Sequence, residues 1–323
     1  MTWHPFRTAI VQSMACTAPA ADPPPVQPIG TTPAAGVRFR ELDPLYAAAG
    51  NYELTHAIYL PSDWKPGGSL PVLVEYAGNR YQGVGLDGRP LILAGLHIEA
   101  RMGYFLAGKP GSAASGVGCI WVTLPFIRCD RAAPDDPARH REAEQWYGSE
   151  PGDHSAAAID DRVGQRLAAD YLKRNLPAIC ARFGGDPQRV VLCGFSRGAI
   201  AGGFIGRADD ATAALFRGFI LHAHHDASGQ HLSPPDPDGR RCARAVGRPS
   251  FLSVGDLDGG RASTEGGTAA LRAAGAEVEL RIIPGVPHTV EWLYDEHYGT
   301  PAFAATRDAA RTFLWRLVGE AQS

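Results

Sequence analysis

No apolar run in this 323-residue sequence approaches the roughly 18 consecutive residues that a membrane-spanning helix requires. A formal net charge of -3 gives no indication of a nucleic-acid partner. None of the six cysteines forms a C-x-x-C pair, which argues against a structural zinc site. We therefore expect no membrane span, no nucleic-acid partner and no bound metal.

Proline and glycine, in contrast, are frequent, and the N-terminal segment contains many of the prolines. Arg7 precedes a short apolar patch, and Ala18–Ala20 resembles a signal-peptide cleavage site, although polar residues interrupt the patch. Residues 18–36 have the composition of a proline-rich linker. We predict a leader or signal plus linker over residues 1–36 and one folded domain over residues 37–323. A secreted or periplasmic location is favoured over a cytoplasmic one.

The folded part begins with two predicted antiparallel strands, after which strands and helices alternate. Helical spacing covers residues 89–104, 155–183 and 301–321. The later strands are continuous apolar runs, as expected when both faces of a sheet are buried: SLPVLVEYAG, GCIWVTLPF, RVVLCG, FRGFILHAHH, RPSFLSVGD and AEVELRII. This order predicts an α/β fold with a mostly parallel central sheet of about eight strands and helices on both faces. Ligands in such folds bind beyond the carboxyl ends of the strands.

One serine lies at such a strand end. Gly194-Phe195-Ser196-Arg197-Gly198 fits G-x-S-x-G between a predicted strand and a predicted helix. The two glycines allow a sharp bend that displays the Ser196 hydroxyl. Because Arg197 begins the helix, its amide N–H is a candidate donor to a developing oxyanion. Ser196 is therefore a candidate nucleophile.

A serine nucleophile needs a base to remove its proton and a carboxylate to orient that base. His288 follows the last predicted strand and is the candidate base, with His297 as the next choice. Asp258 in SVGDLDGG is the candidate acid, and Asp256 and Asp226 remain alternatives. Nucleophile, acid and base then follow one another along the chain in the order known for nucleophile-elbow hydrolases.

These three motifs together resemble the α/β-hydrolase superfamily. The matching residues are GFSRG with Ser196, SVGDLD with Asp258 and GVPHTV with His288, and the resemblance spans about residues 52–318. FGGDPQRVVLCGFSRGA is similar to the corresponding segment of prolyl-oligopeptidase-like and dienelactone-hydrolase-like esterases. The resemblance implies a single α/β-hydrolase catalytic domain over residues 37–323. It also implies a serine esterase that works through an acyl-enzyme and uses no cofactor.

A second oxyanion donor normally comes from the loop that follows the third strand of this fold. Here that loop reads VEYAGNRYQG, with Glu75 roughly where many esterases have a histidine. The backbone amides of Ala77 and Gly78 are the candidate donors. Asn79 adds a possible side-chain donor to a bound substrate.

The substrate is expected to be a small-molecule, carbohydrate or polyester ester. Trp146 lies in a charged loop over the predicted cleft, and His225 and Asp226 follow another strand in the run HAHHD. We interpret these residues as substrate-binding rather than metal-binding, because adjacent strand residues point to opposite faces of a sheet. A serine peptidase of the same fold and a non-catalytic ligand-binding relative are the alternative functions.

Overall fold

A computed structural model of the chain describes residues 22–78, 81–84, 90–93, 95–145, 163–223, 239–290, 293 and 301–319. Among the helices in these ranges, none is long and apolar enough to cross a bilayer.

The core of the fold is a nine-stranded sheet. Its strands are β1 Val26–Gln27, β2 Arg38–Leu42, β3 Thr55–Tyr59, β4 Leu70–Tyr76, β7 Ile120–Leu124, β10 Gly185–Phe195, β11 Gly218–His222, β12 Ser250–Gly255 and β13 Val278–Ile283. They lie in the order β1-β2-β3-β7-β4-β10-β11-β12-β13. Only β3 pairs antiparallel with its neighbours, and every other pairing in this sheet is parallel. The predicted mostly parallel sheet is confirmed, with nine strands rather than about eight.

The additional edge strand, β1, lies within the segment that the sequence assigns to a linker. Val26 pairs with Arg38 and Gln27 with Phe39, so this part of the linker joins the sheet through β2. The boundary between leader and domain at residue 36 remains a prediction.

Two short hairpins lie outside the main sheet. One joins β5 Tyr81–Val84 to β6 Pro90–Leu93, and the other joins β8 Phe126–Arg128 to β9 Arg141–Ala143. The expectation of a helix over residues 89–104 is therefore wrong. Its first part pairs as a strand, and a short 3₁₀ helix covers His97–Glu99. An α-helix begins only at Met102, where the buried carboxylate of Glu75 accepts the N–H groups of Met102 and Gly103.

Helices cover both faces of the sheet, as predicted. They are α1 Pro44–Ala48, α2 Met102–Leu106, α3 Val163–Phe183, α4 Arg197–Phe204, α5 Asp210–Ala213, α6 Arg240–Ala243, α7 Arg261–Ala273 and α8 Pro301–Val318. Successive residues of a strand point to opposite faces. Val72 and Val74 of β4 accordingly share one core cluster with α3, α4 and α7, whereas Leu73 shares a second cluster with α2 and α8.

One polar group buried beneath this packing is a histidine of the antiparallel strand. His56 of β3 is 2% exposed, and its Nδ1 lies 2.9 Å from the hydroxyl of Tyr171 in α3. Burial, together with the nearby imidazole of His97, lowers the pKa of His56 to about 3. The ring is therefore neutral in the folded protein at any pH near neutrality.

Acid should destabilise the protein through His56. An unfolded chain takes up a proton on this histidine as pH falls below about 6.5, whereas the folded chain does so only near pH 3. The free energy of unfolding should thus fall with pH across this window. In His56→Gln, that fall should be shallower by up to about 1.4 kcal/mol per pH unit. Urea denaturation between pH 7 and pH 4.5 measures both slopes, and parallel slopes would contradict the expectation.

Candidate active site

Ser196 occupies a tight bend between β10 and α4. Its backbone has φ 54° and ψ -117°, a conformation that few residues other than glycine adopt. The Ser196 N–H donates to the carbonyl of His222 at the end of the neighbouring β11, at 3.0 Å. A backbone held in this region costs about 1–3 kcal/mol and persists only when surrounding contacts fix it. The bend therefore has to be held by its neighbours.

The glycines on either side of the bend are required by close backbone contacts. A Cβ on Gly194 would lie 2.5 Å from the carbonyl of Gly198, so β10 and the first turn of α4 approach each other directly. A Cβ on Gly198 would overlap the carbonyl oxygen of Tyr76, which lies on β4. The G-x-S-x-G pattern thus reflects three backbone segments packed without side chains between them.

A histidine and an aspartate from two other loops meet the serine. His288, in the loop after β13, places Nε2 at 2.8 Å from Ser196 Oγ and Nδ1 at 2.8 Å from Asp258 Oδ2. The Asp258 side chain is only 1% exposed, and its second oxygen accepts the N–H of Gly260 at 2.7 Å. Because the carboxylate only accepts, Nδ1 carries the proton and Nε2 presents a lone pair to the serine hydroxyl.

The alternative acid, Asp256, has a different partner. Its Oδ1 accepts the N–H of Gly285 at 2.7 Å, at the start of the loop that carries His288. The end of β12 also contacts this loop, since a Cβ on Gly255 would overlap the carbonyl oxygen of Val286. Asp258 is therefore the aspartate that contacts the His288 imidazole, whereas Asp256 is bonded to the start of the loop that carries His288. Asp226 and His297, the remaining alternatives, lie outside the described residues.

The candidate oxyanion-hole residues flank Ser196. Ala77 follows β4 directly, and the Cβ position of Gly78 lies 3.0 Å from the carbonyl oxygen of Phe195 and 3.6 Å from the Ser196 Cβ. On the other side, Arg197 is the first residue of α4. Backbone from the β4 loop and from a helix N-terminus therefore lies beside one hydroxyl, and the partial positive charge of a helix N-terminus favours a developing anion.

Glu75, roughly at the position where many esterases have a histidine, makes its hydrogen bonds away from Ser196. Its buried carboxylate accepts the N–H of Met102 at 3.1 Å, the N–H of Gly103 at 2.7 Å and Nε1–H of Trp121 at 2.8 Å. Burial raises the pKa of Glu75, an effect that these hydrogen bonds and Arg38 oppose. The residue fixes the start of α2 beneath the β4 loop.

Sequence patterns gave no signal for two further contacts at the site. Arg197, considered only for its amide, donates from Nη1 to Oε1 of the buried Gln145 at 2.6 Å, which connects the bend to the β8–β9 hairpin. The ring of Phe195 packs against His288, with centroids 5.0 Å apart. Both contacts depend on tertiary packing rather than on local sequence.

The substrate-binding candidates Asn79, Trp146, His225 and Asp226 all lie outside the described residues. In the part of the chain that is described, no cluster of three or more His, Cys, Asp or Glu side chains is arranged to hold a metal ion.

No protein-family model matches the chain, and no curated protein matches its sequence. Similarity appears at the level of solved structures. A CE1 ferulic acid esterase from the anaerobic fungus Anaeromyces mucronatus superposes with a TM-score of 0.53 at 14% identity, over 91% of this chain and 96% of that one. The thermophilic esterase Est2 of the Planctomycetes species Thermogutta terrifontis gives 0.50 at 18% identity, over 88% and 94%. The AtxE2 isopeptidase gives 0.51 at 15% identity, over 87% of this chain and 40% of that one.

The chain has an α/β-hydrolase fold. At these identities the similarity establishes the architecture and not the activity. The fold nevertheless explains why strand ends far apart in the chain converge, since ligands of open α/β sheets bind at the carboxyl edge. In this chain, β10, β12 and β13 end at that edge and lead to Ser196, Asp258 and His288, respectively.

The close contact between Gly198 and β4 should make Gly198→Ala strongly destabilising. The added methyl meets a backbone carbonyl that belongs to a central strand, so relaxation is difficult, and we expect a loss of about 3 kcal/mol or more. Gly247→Ala is the comparison without a clash, because the Cβ position of Gly247 is open and its methyl adds only the strain of φ +75°, which Gly198 does not have. The control should lose only about 1–2 kcal/mol. Equal losses in urea denaturation would contradict the steric argument.

Proposed function

We propose that the protein is a serine hydrolase that cleaves carboxylic esters through an acyl-enzyme. The observation that carries the proposal is the continuous hydrogen-bonded chain from Asp258 Oδ2 to His288 Nδ1 and from His288 Nε2 to Ser196 Oγ, at 2.8 Å for each contact. This is the arrangement in which an imidazole removes a hydroxyl proton while a carboxylate orients it.

In the first half of the proposed reaction, Ser196 Oγ attacks the ester carbonyl carbon and its proton moves to His288 Nε2. Asp258 keeps Nδ1–H oriented and stabilises the imidazolium that forms. The negative charge that develops on the carbonyl oxygen is stabilised by the amide of Arg197 and by an amide of Ala77 or Gly78. Collapse of the tetrahedral intermediate breaks the bond to the alkoxide, which takes the proton from Nε2 and leaves as the alcohol.

In the second half, a water molecule attacks the acyl carbon. His288 Nε2 accepts a proton from this water, and the new oxyanion is held by the same backbone donors. The bond to Ser196 Oγ then breaks, Oγ regains its proton from Nε2, and the carboxylic acid is released. The enzyme returns to its starting protonation state, and no cofactor takes part.

Two features of the fold guide the choice of substrates for a test. The fold is shared with ferulic acid esterases over nearly the whole of both chains, so feruloyl esters of sugars belong in the panel beside acetyl, butyryl and glucuronoyl esters. The isopeptidase that shares the fold is much longer than this chain, since only 40% of it is covered. Because an isopeptidase shares the fold, the panel should also include an amide that matches one of the esters. Faster cleavage of the amide than of the ester would favour the peptidase alternative.

Ser196→Ala should abolish ester hydrolysis without unfolding the protein. The substitution removes the attacking atom and leaves the backbone contacts of the bend in place. Turnover of p-nitrophenyl acetate should fall by about 10⁴-fold or more, while the circular dichroism spectrum and the melting temperature stay near those of the wild type. Unchanged turnover in a folded variant would refute the proposal.

Substitution of the two neighbouring aspartates should separate their roles. Asp258→Asn should lower kcat by about 10³–10⁴-fold, because an amide no longer fixes the required tautomer of His288. Asp256→Asn is the matched control, because its side-chain oxygen can still accept the N–H of Gly285. The control should lose less than about 10-fold. The reverse order of effects, measured with the same ester, would assign the acid to Asp256.

A further inference from the structure

His222, the last residue of β11, lies beside Phe195 and Ser196. Its side chain is fully buried, and its ring stacks on Phe195 with a centroid separation of 5.5 Å and an interplanar angle of 21°. The main-chain carbonyl of His222 accepts the N–H of Ser196 at 3.0 Å. This residue therefore touches the nucleophile segment through both its ring and its backbone.

The imidazole of His222 also joins two further segments. Nε2 lies 2.7 Å from the carbonyl oxygen of Thr289, and Nδ1 lies 2.9 Å from Ser253 Oγ. A carbonyl oxygen only accepts, so Nε2 carries the proton, and in the neutral ring Nδ1 accepts from the Ser253 hydroxyl. Burial lowers the pKa of His222 to about 4, and this agrees with a neutral ring in one tautomer.

The partners of His222 belong to the three segments that carry the site. Phe195 precedes Ser196, Ser253 lies on β12, which leads to Asp258, and Thr289 follows His288. We propose that His222 is a positioning residue that fixes the His288 loop relative to Ser196, through its hydrogen bond to the Thr289 carbonyl. The inference rests on the proposed serine-hydrolase function.

The physical reason is the burial of Thr289, which is 2% exposed. A buried carbonyl that loses a hydrogen-bond donor carries a desolvation penalty, and the backbone relieves it by moving toward water or another donor. The imidazole of His288 moves with that backbone. Displacement of a reacting group by about 1 Å can lower the rate by about 10²-fold. The loss should appear in kcat rather than in KM, because the hydrogen bond between His288 Nε2 and Ser196 Oγ takes part in the reaction and not in substrate binding.

Two amide substitutions separate the positioning role from simple packing. In His222→Gln, the amide nitrogen extends about as far as Nε2 and can still donate to Thr289, whereas in His222→Asn it reaches only about as far as Nδ1. We expect kcat for p-nitrophenyl acetate to fall by about 10²-fold in the Asn variant with KM little changed. The Gln variant should recover to within about 10-fold of the wild type.

His56→Asn is the matched control, because it removes another buried histidine whose contacts lie with α3 rather than with the site. The control should lose stability but keep kcat per folded molecule, with the folded fraction measured by circular dichroism. Equal kcat in the Asn and Gln variants of His222, after this correction, would overturn the positioning role.

Hydrolysis by the wild type and its loss in Ser196→Ala test the proposed function separately. If the wild type cleaves no ester, the proposed function and this inference both fail.

Discussion

The hydrogen bond between Ser196 Oγ and His288 Nε2 joins two residues that are 92 positions apart in the chain. No local structure brings them together, so the contact depends on the sheet. Parallel neighbours align the carboxyl ends of β10 to β13 at one edge, and the loops that follow the strands meet there. The site is thus a consequence of the shared direction of the paired strands.

Several polar groups then convert this proximity into a defined geometry. Asp256 holds the start of the His288 loop, His222 holds the residue after His288, and Glu75 holds the start of α2 beneath the β4 loop. His222 and Glu75 are buried and hydrogen-bonded, which is the condition under which buried polar groups specify one arrangement rather than destabilise the core. The positive φ of Ser196 is held by other contacts: its N–H donates to the His222 carbonyl, and the backbone packs closely at Gly194 and Gly198.

The bend at Ser196 and the mostly parallel sheet could be predicted from sequence, because the patterns that indicate them are local. Glycines on both sides of a serine, at a junction of strand and helix, indicate a sharp bend, and the apolar runs of a two-sided sheet are distinctive. What the sequence could not separate was Asp256 from Asp258, since the choice depends on how the backbone turns after Gly255. The expected helix over residues 89–104 failed for a similar reason, because its start is set by a carboxylate from β4. His222 begins the run HAHHD, but its positioning role had no local signal, because its partners come from distant segments.

Activation of the Ser196 hydroxyl by His288 can be measured by covalent labelling. A fluorophosphonate reacts only with an activated serine hydroxyl, and mass spectrometry locates the adduct. We expect a single adduct on Ser196 in the wild type and a labelling rate reduced by about 10³-fold or more in folded His288→Gln. An adduct on another residue, or an unchanged rate in His288→Gln, would contradict this activation.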